Sequence, residues 1–405
     1  MTKELTFTNG LLTNSSGSSL NNPSSGARAY TFINGILTNV GQVLPGVTPA
    51  QLQMTFTNGL LTAYYIVSGS SSASSIYTYG WTEIYPYGDA AAEWQEVALD
   101  YDGSFIFVAA NGSNPFYSSD SGSNWDVASA TYSVPRSVAC SNDGSNLIYC
   151  TSNNDAPPGG LLYKSSDSGA SWTELTPLGA GTREYWHDVC IDSDGSFMGA
   201  VYASPYSGIW ISTNSGATWS EKKPDGAYSI LWTGLACDSD GTTIIACQNS
   251  FVAGHSRIWI SHDSGASWSE TRPLGDADGD WGSVDCSSDG SILIANSWGY
   301  GQLFISLNSG SSWTEVYPYG TIGETIYWTH SSCSGDGKYM IAGSTYGPPY
   351  AGGRLFYSTD TGSTWVEAQP AGDINGDWWA TDISEDGSTM LAAGLYGRIY
   401  KATRL

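Results

Sequence analysis

The octapeptide Ser165-Ser-Asp-Ser-Gly-Ala-Ser-Trp172 decides the fold, because close variants of it recur along most of the chain. The other copies are Ser118–Trp125, Ser212–Trp219, Ser261–Trp268, Ser306–Trp313 and Ser358–Trp365. Their tryptophans follow one another at spacings of 47, 47, 49, 45 and 52 residues. Repeats of about 40–50 residues that hold several short strands are typical of β-propeller blades.

A second marker fixes the number of blades. Asp-Gly turns in register with the repeat occur once per repeat, at Asp102, Asp143, Asp194, Asp240, Asp289, Asp336 and Asp386, whereas those at Asp225 and Asp278 are out of phase. A tryptophan precedes six of these turns by eight residues, and Pro135 takes its place in the second repeat. Each repeat therefore predicts strand a, the Asp-Gly turn, strand b, a variable loop, strand c, the octapeptide turn and strand d. Seven such turns predict seven blades.

The two ends of the repeat region complete each other. The last repeat stops after its strand c at Arg398–Leu405, whereas Trp81–Gly88 matches the strand d segment Trp172–Gly179. We therefore expect an N-terminal strand to complete the last blade and to leave the ring without open edges. The predicted fold is all-β: a seven-bladed propeller over residues 76–405, closed by an N-terminal strand and preceded by an extended arm of short hairpins.

The octapeptide resembles the Asp-box, or bacterial neuraminidase, repeat, whose motif is Ser-x-Asp-x-Gly-x-Thr/Ser-Trp. The resemblance implies a propeller, but that family spans sialidases, other glycosidases, lectin-like modules and assembly factors, so it does not imply one function. We expect the box acidic or amide side chains to accept backbone N–H bonds within the turn, and each box glycine to take a positive φ. These structural residues are Asp120, Asp167, Asn214, Asp263, Asn308 and Asp360.

Charge and composition exclude several classes of protein. The chain has 14 Lys and Arg against 38 Asp and Glu, a net charge of −24, which argues against nucleic acid and anionic membranes as partners. No apolar run is long enough for a membrane span, and the first residues lack the apolar core of a secretory signal, so we expect an added Met or release by lysis. The seven cysteines favour reduced, buried thiols over hairpin pairs such as Cys140/Cys150 and Cys237/Cys247.

The loops between strands b and c and between strands d and a form a variable face, where recognition concentrates. Aromatic side chains on this face would suit carbohydrate. The alternative is that the strand a tryptophans pack between blades, since a repeated residue usually serves a repeated structural need. The candidate ligand-binding residues are Trp186, Trp232, Trp281, Trp298, Tyr300, Trp328, Tyr346 and Trp378.

Two acidic loops on the same face resemble calcium loops in their alternating oxygen ligands around a glycine. Their candidate metal ligands are Asp276, Asp278, Asp280, Asp373, Asn375 and Asp377. The alternative is a solvated acidic turn, because the bidentate glutamate that ends an EF-hand loop is missing. No other cofactor is predicted.

Sialidase chemistry would need an arginine cluster, a tyrosine with a glutamate, and an acidic residue. Arg257, Arg354 and Arg398 all stand at the start of strand c, well outside the central channel, so we do not expect them to converge. We predict no catalytic residue and therefore no enzymatic activity.

Residues 1–66 contain a different and shorter repeat. Three Asn-Gly steps recur at spacings of 25 and 24 residues between short β-prone runs, which favours three hairpins; they are Asn9, Gly10, Asn34, Gly35, Asn58 and Gly59. A Ser/Gly-rich linker spans residues 67–75. This pattern is loosely similar to N-terminal pieces of tailed-phage structural proteins and suggests an anchoring arm, the alternative being a flexible leader.

An anchoring arm followed by a propeller suggests a non-enzymatic virion surface protein, either a capsid decoration or a tail or fibre protein. The expected partners are other virion proteins bound through residues 1–66, further copies of the chain in the assembly, and a host-surface glycan. The alternative is an extracellular carbohydrate-active protein, either lectin-like or a glycosidase of the sialidase type.

Overall fold

The computed structural model describes six strands within residues 6–67 and residues 79–404, apart from residues 90, 130–133, 153–158, 204–207, 227–230, 250–255, 276, 299–300, 320–326, 346–352 and 371–375. All regular structure in these residues is β, so they contain no apolar helix that could cross a bilayer. Two compact units are distinct: Met1–Gly80 with Arg404–Leu405, and Trp81–Thr403.

Three antiparallel strand pairs form in the N-terminal unit. They are β1 (Thr6–Thr8) with β2 (Leu11–Thr13), β3 (Arg28–Ile33) with β4 (Ile36–Gln42), and β5 (Gln51–Thr57) with β6 (Leu60–Val67). Each pair is joined by two residues, and these are the Asn-Gly steps Asn9–Gly10, Asn34–Gly35 and Asn58–Gly59, which lie outside the described residues. The division at residues 66 and 75 and the anchoring role stay predictions.

The propeller consists of seven four-stranded antiparallel sheets. The innermost strands a are β9 (Trp94–Leu99), β13 (Pro135–Cys140), β17 (Trp186–Ile191), β21 (Leu231–Cys237), β25 (Trp281–Cys286), β29 (Tyr327–Cys333) and β33 (Trp378–Ile383). Strands b are β10 (Ile106–Ala110), β14 (Leu147–Thr151), β18 (Met198–Tyr202), β22 (Ile244–Asn249), β26 (Leu293–Ser297), β30 (Met340–Thr345) and β34 (Thr389–Gly394).

Strands c and d complete each blade. Strands c are β11 (Phe116–Ser118), β15 (Leu162–Ser165), β19 (Ile209–Ser212), β23 (Ile258–Ser261), β27 (Leu303–Ser306), β31 (Leu355–Ser358) and β35 (Ile399–Arg404). Strands d are β12 (Asp126–Val127), β16 (Thr173–Leu175), β20 (Ser220–Lys222), β24 (Ser269–Thr271), β28 (Thr314–Val316), β32 (Val366–Ala368) and β7 (Tyr79–Ile84). A short strand, β8 (Pro86–Asp89), follows β7.

The ring closes as the sequence predicts. Strand β7, from the start of the propeller, is the outermost strand of the last blade, in the order β33-β34-β35-β7. One hydrophobic cluster then joins Trp94 and Phe116 of blade 1 to Leu391 and Ile399 of blade 7. Similar clusters join the other neighbouring blades, so the core is a series of layers between blades. The predicted all-β, seven-bladed fold is confirmed.

The six octapeptides form the expected turns. In the first, the Asp120 carboxylate accepts the Asn124 backbone N–H at 2.7 Å, and Gly122 has a φ of 86°. In Ser212–Trp219, the Asn214 amide oxygen accepts the Thr218 N–H at 2.8 Å, so asparagine preserves the acceptor. The equivalent acceptors are Asp167, Asp263, Asn308 and Asp360. In every turn the residue before the glycine also has a positive φ, between 52° and 60°, which the sequence did not predict.

All seven cysteines are free thiols, as the sequence favours, and the strand register explains why the alternative hairpin pairs do not form. Cys140 lies opposite Leu147, and Cys150 lies opposite Ser137, so the two sulfur atoms stand at different levels of the hairpin. Cys237 and Cys247 are displaced in the same way.

Candidate functional site

Each strand a carries an irregularity at the same place. The ladder between strands a and b shifts register directly after the first tryptophan, or after Pro135 in blade 2. Such a bulge removes one residue from the pairing and re-aims its side chain. We call the seven bulged residues the mouth ring, because strand a begins on the variable face; they are Gln95, Arg136, His187, Thr233, Gly282, Thr329 and Trp379.

Contacts between neighbouring blades connect the mouth ring. The Arg136 guanidinium donates from Nη1 to Gln95 Oε1 at 2.6 Å, and its Nη2 lies 3.1 Å from His187 Nε2. Burial, and then the charge of Arg136, lowers the pKa of His187 to about 3, so the imidazole is neutral and its Nε2 accepts the guanidinium proton. Two neutral acceptors therefore hold Arg136.

Below the mouth ring, aspartates of blades 3, 5 and 7 each bind the backbone of the following blade. Strand a pairs with strand b on one side only, so some of its backbone N–H groups face the channel. Asp188 Oδ2 accepts the N–H of Leu235 at 2.8 Å, from the following blade. Asp285 accepts from Cys333 at 2.8 Å, and Asp382 accepts from Leu99 at 2.7 Å, also across blade boundaries. These carboxylates replace water at a buried sheet edge.

The same groups titrate unusually. Burial raises the pKa of Asp285 to about 7, and it raises the pKa values of Asp188 and Asp382 above the ordinary range. Burial, followed by the charge of Asp188, holds the pKa of Glu96 well above its usual value. Glu96 Oε2 lies 3.5 Å from Nε2 of His330, whose pKa is lowered by burial. The channel wall thus combines poorly solvated carboxyl groups with neutral imidazoles.

A belt of main-chain hydrogen bonds encircles the channel at its far end. Each bond runs from one blade to the next, through Tyr101, Asn142, Ser193, Ser239, Ser288, Gly335 and Glu385, with N···O distances of 2.8–3.1 Å. The last bond, from Asp386 N to Tyr101 O at 3.0 Å, completes the circle. The Glu385 carboxylate also crosses above Gly335 to accept the Ser288 hydroxyl proton, because glycine leaves room there. The mouth ring therefore lies at the opposite end of the channel from this belt.

Trp298 lies beside the mouth ring and is 46% exposed. A Cβ at Gly282 would stand 3.6 Å from the Trp298 Cβ, so this tryptophan starts in van der Waals range of the mouth ring. The Trp298 N–H donates to Asp280 O at 2.6 Å, which fixes the start of the loop. Of the aromatic residues predicted to bind ligand, Trp298 is the described one with an accessible ring face. Tyr300 and Tyr346 lie outside the described residues.

The other predicted aromatic ligands occupy the layers between blades. These five indoles are at most 4% exposed; they are Trp186, Trp232, Trp281, Trp328 and Trp378. Trp281 Nε1 donates to Ser256 O at 3.3 Å and Trp328 Nε1 donates to Gly301 O at 3.1 Å, each in the preceding blade. Their burial favours the packing alternative over ligand binding, because a sugar has no exposed ring on which to stack.

The predicted metal loops are only partly described. Asp276, Asp373 and Asn375 fall outside the described residues. Asp278 is engaged by Arg257, with Nη1 to Oδ1 at 2.7 Å, so its carboxylate is neutralised by the protein. Asp280 uses its backbone carbonyl for Trp298, and Asp377 uses its carbonyl for Leu395. Within the described part of the chain, no three His, Cys, Asp or Glu side chains gather into a metal site.

The strand c arginines are bound within their own blades. Arg257 Nε lies 3.0 Å from Glu270 Oε1, and Arg398 Nη1 lies 3.1 Å from Glu83 Oε1. Arg354 pairs with Glu367 in the same way. Each pair links strand c to strand d, so these arginines do not form a sialidase-type cluster.

Sequence reasoning missed the mouth ring and the channel carboxyls. The sequence does contain a signal for the mouth ring. The residue before each bulge is almost always Trp, whereas the bulged residue itself varies among Gln, Arg, His, Thr, Gly and Trp. A variable residue inside a constant frame is a candidate for recognition.

With this geometry established, comparison with solved structures gives the class of protein, a β-propeller. The chain is similar to YCF48 bound to D1 peptide, with a TM-score of 0.57, 14% identity, and coverage of 80% of this chain and 95% of that one. It is similar to YCF48 from Cyanidioschyzon merolae, with a TM-score of 0.56, 14% identity, and coverage of 79% and 98%. It is also similar to a GH74 xyloglucanase from Xanthomonas campestris, with a TM-score of 0.58, 14% identity, and coverage of 79% of this chain and 53% of that one.

No protein-family model and no curated protein matches the sequence. At 14% identity, the likeness to the solved structures shows the fold alone.

Proposed function

We propose that the chain is a non-enzymatic recognition protein of a virion surface, in which the propeller presents its variable face to a host-surface glycan. The observation that carries the recognition role is Trp298, an exposed indole beside the mouth ring on the variable face. An aromatic face near polar groups suits the apolar face of a sugar.

The chemistry of the channel supports binding over catalysis. Glycoside hydrolysis uses two carboxyl groups that flank the scissile bond and are free to exchange protons with substrate. Asp188, Asp285 and Asp382 instead accept backbone N–H bonds from the neighbouring blade, so moving them toward a substrate would break the contacts that hold the ring. The alternative is an extracellular protein, either lectin-like or a sialidase-type glycosidase. Its support is that a GH74 xyloglucanase has a similar fold.

The virion part of the proposal rests on the N-terminal repeats. Three short strand pairs at spacings of 25 and 24 residues would offer repeated edges for strand addition to other virion proteins, with several copies of the chain on one particle. No metal or cofactor is needed for this role.

Two experiments test these two parts separately. On a glycan array, the full chain should bind a defined glycan set, and Trp298→Ala should weaken that binding more than Trp210→Ala, a change on strand c. Release of reducing sugar from sialosides or xyloglucan would instead establish the enzymatic alternative. Immunogold labelling of the source culture should mark phage-like particles, and labelling confined to cell surfaces would contradict the virion role.

A further inference from the structure

Arg136 differs from the arginines on strand c in its partners. Arg257, Arg354 and Arg398 each meet a glutamate. Among the described residues, no carboxylate lies within ion-pair distance of Arg136, and its partners are the neutral Gln95 and His187. The chain therefore holds an arginine in the wall of the channel with no ion-pair partner among the described residues.

The orientation of Arg136 is fixed while most of its donors remain unused. A guanidinium has five N–H donors in one plane, and two of them are taken by Gln95 Oε1 and His187 Nε2. The bulge after Pro135 leaves the backbone of Arg136 out of the pairing between strands a and b. A guanidinium held in this way is suited to a bidentate bond with a carboxylate or phosphate.

Electrostatics distinguish between these two anions. Glu96, Asp188, Asp285 and Asp382 lie deeper in the same channel, and the charge of Arg136 acts on Glu96. The chain carries a net charge of −24, so a dianionic phosphate would meet more repulsion from the protein than a carboxylate, which carries a single charge. The channel therefore favours a monoanion.

We propose that Arg136 is the recognition centre for the carboxylate of a hexuronic acid unit bound at the mouth ring. A hexuronic acid suits both the guanidinium and the aromatic side chains of this face, since its carboxylate is attached directly to a sugar ring. Trp379 belongs to the mouth ring, and Trp298 is exposed beside Gly282. This inference rests on the proposed function, because it names the class of glycan that the variable face would take.

The test uses the full chain and isothermal titration with trigalacturonate, with its methyl ester as the matched neutral ligand. The ester should bind at least about ten-fold more weakly than the acid, because esterification removes the charge that Arg136 recognises. Arg136→Gln should weaken binding of the acid by about ten-fold to a hundred-fold and leave the ester unchanged. Arg136→Lys should fall between the two, because lysine keeps the charge but loses the planar fork.

Arg398→Gln is the control variant, since it removes an arginine that is already paired with Glu83, and it should bind both ligands like the parent chain. Equal binding of acid and ester, or an unchanged affinity for the acid in both Arg136 variants, would overturn the proposal. If the array shows binding to neutral glycans only, this inference fails and glycan recognition stands. If the array shows no glycan binding, both fail. Stronger binding of inorganic phosphate than of trigalacturonate would also refute the hexuronate.

Discussion

Replacing Asp285 with asparagine should change how the stability of the propeller depends on pH. The Asp285 carboxyl accepts the N–H groups of Cys286 and Cys333, both at 2.8 Å, yet burial raises its pKa to about 7. In the unfolded chain the same carboxyl should titrate near its ordinary pKa of 3.8. Asparagine keeps the size of the side chain but does not titrate.

The sign and size of the effect follow from proton linkage. Because the folded state holds the proton more tightly, Asp285 contributes stability that is fully present below the unfolded pKa and is lost as the pH rises through about 7. Between about pH 7.5 and about pH 5, this contribution grows by roughly 2–3 kcal/mol as the solution is acidified. His187 has a lowered pKa and acts in the opposite direction, but it is present in both proteins and cancels from their difference.

Urea unfolding followed by tryptophan fluorescence measures the effect. The parent chain minus Asp285→Asn should show a free energy difference that is larger at the lower pH. Asp289→Asn, in the Asp-Gly turn of the same blade, is the matched control: hydrogen bonds from Ser291 lower the pKa of Asp289, so both of its titrations lie below this pH window. A difference for Asp285→Asn that stays constant with pH would refute a protonated native carboxyl.

Three further changes test the packing, the belt and the turns. Trp281→Ala should lower the free energy of unfolding by about 3–5 kcal/mol, since the indole is buried between blades, whereas Trp298→Ala should change it by less than about 0.5 kcal/mol; urea unfolding of both variants decides this. Ser239→Pro should cost about 1–3 kcal/mol by removing one N–H of the belt, and Ser239→Ala should be silent because only the main chain is used; calorimetry would show whether the proline alone lowers the Tm. Asp167→Ala should lower the Tm more than Asp167→Asn, because asparagine keeps the acceptor for the Ser171 N–H; equal losses would contradict this account of the turn.

The sequence predicted those parts of the fold that every blade repeats. The octapeptide, the Asp-Gly turn and the strand a tryptophan serve local needs, namely a backbone acceptor, a positive φ and a filled layer between blades. The Asp-Gly turn recurs seven times and the other two features six times each, so they leave a periodic trace. The burial of Trp232 and the hydrogen bonds of Asp120 follow directly from that trace.

The channel could not be predicted in the same way, because it is built from differences between blades. The position after the bulge is Arg136 in one blade, His187 in the next and Gly282 in another, and none of these residues has a partner that is close in sequence. The ring brings together residues 41 and 51 positions apart, such as Gln95 with Arg136 and Arg136 with His187. Once the blade register is known, however, these residues align at one level. In a repeat protein, the varying residue beside a constant bulge is therefore where recognition should be sought first, and the prominent repeated tryptophan is where packing should be expected.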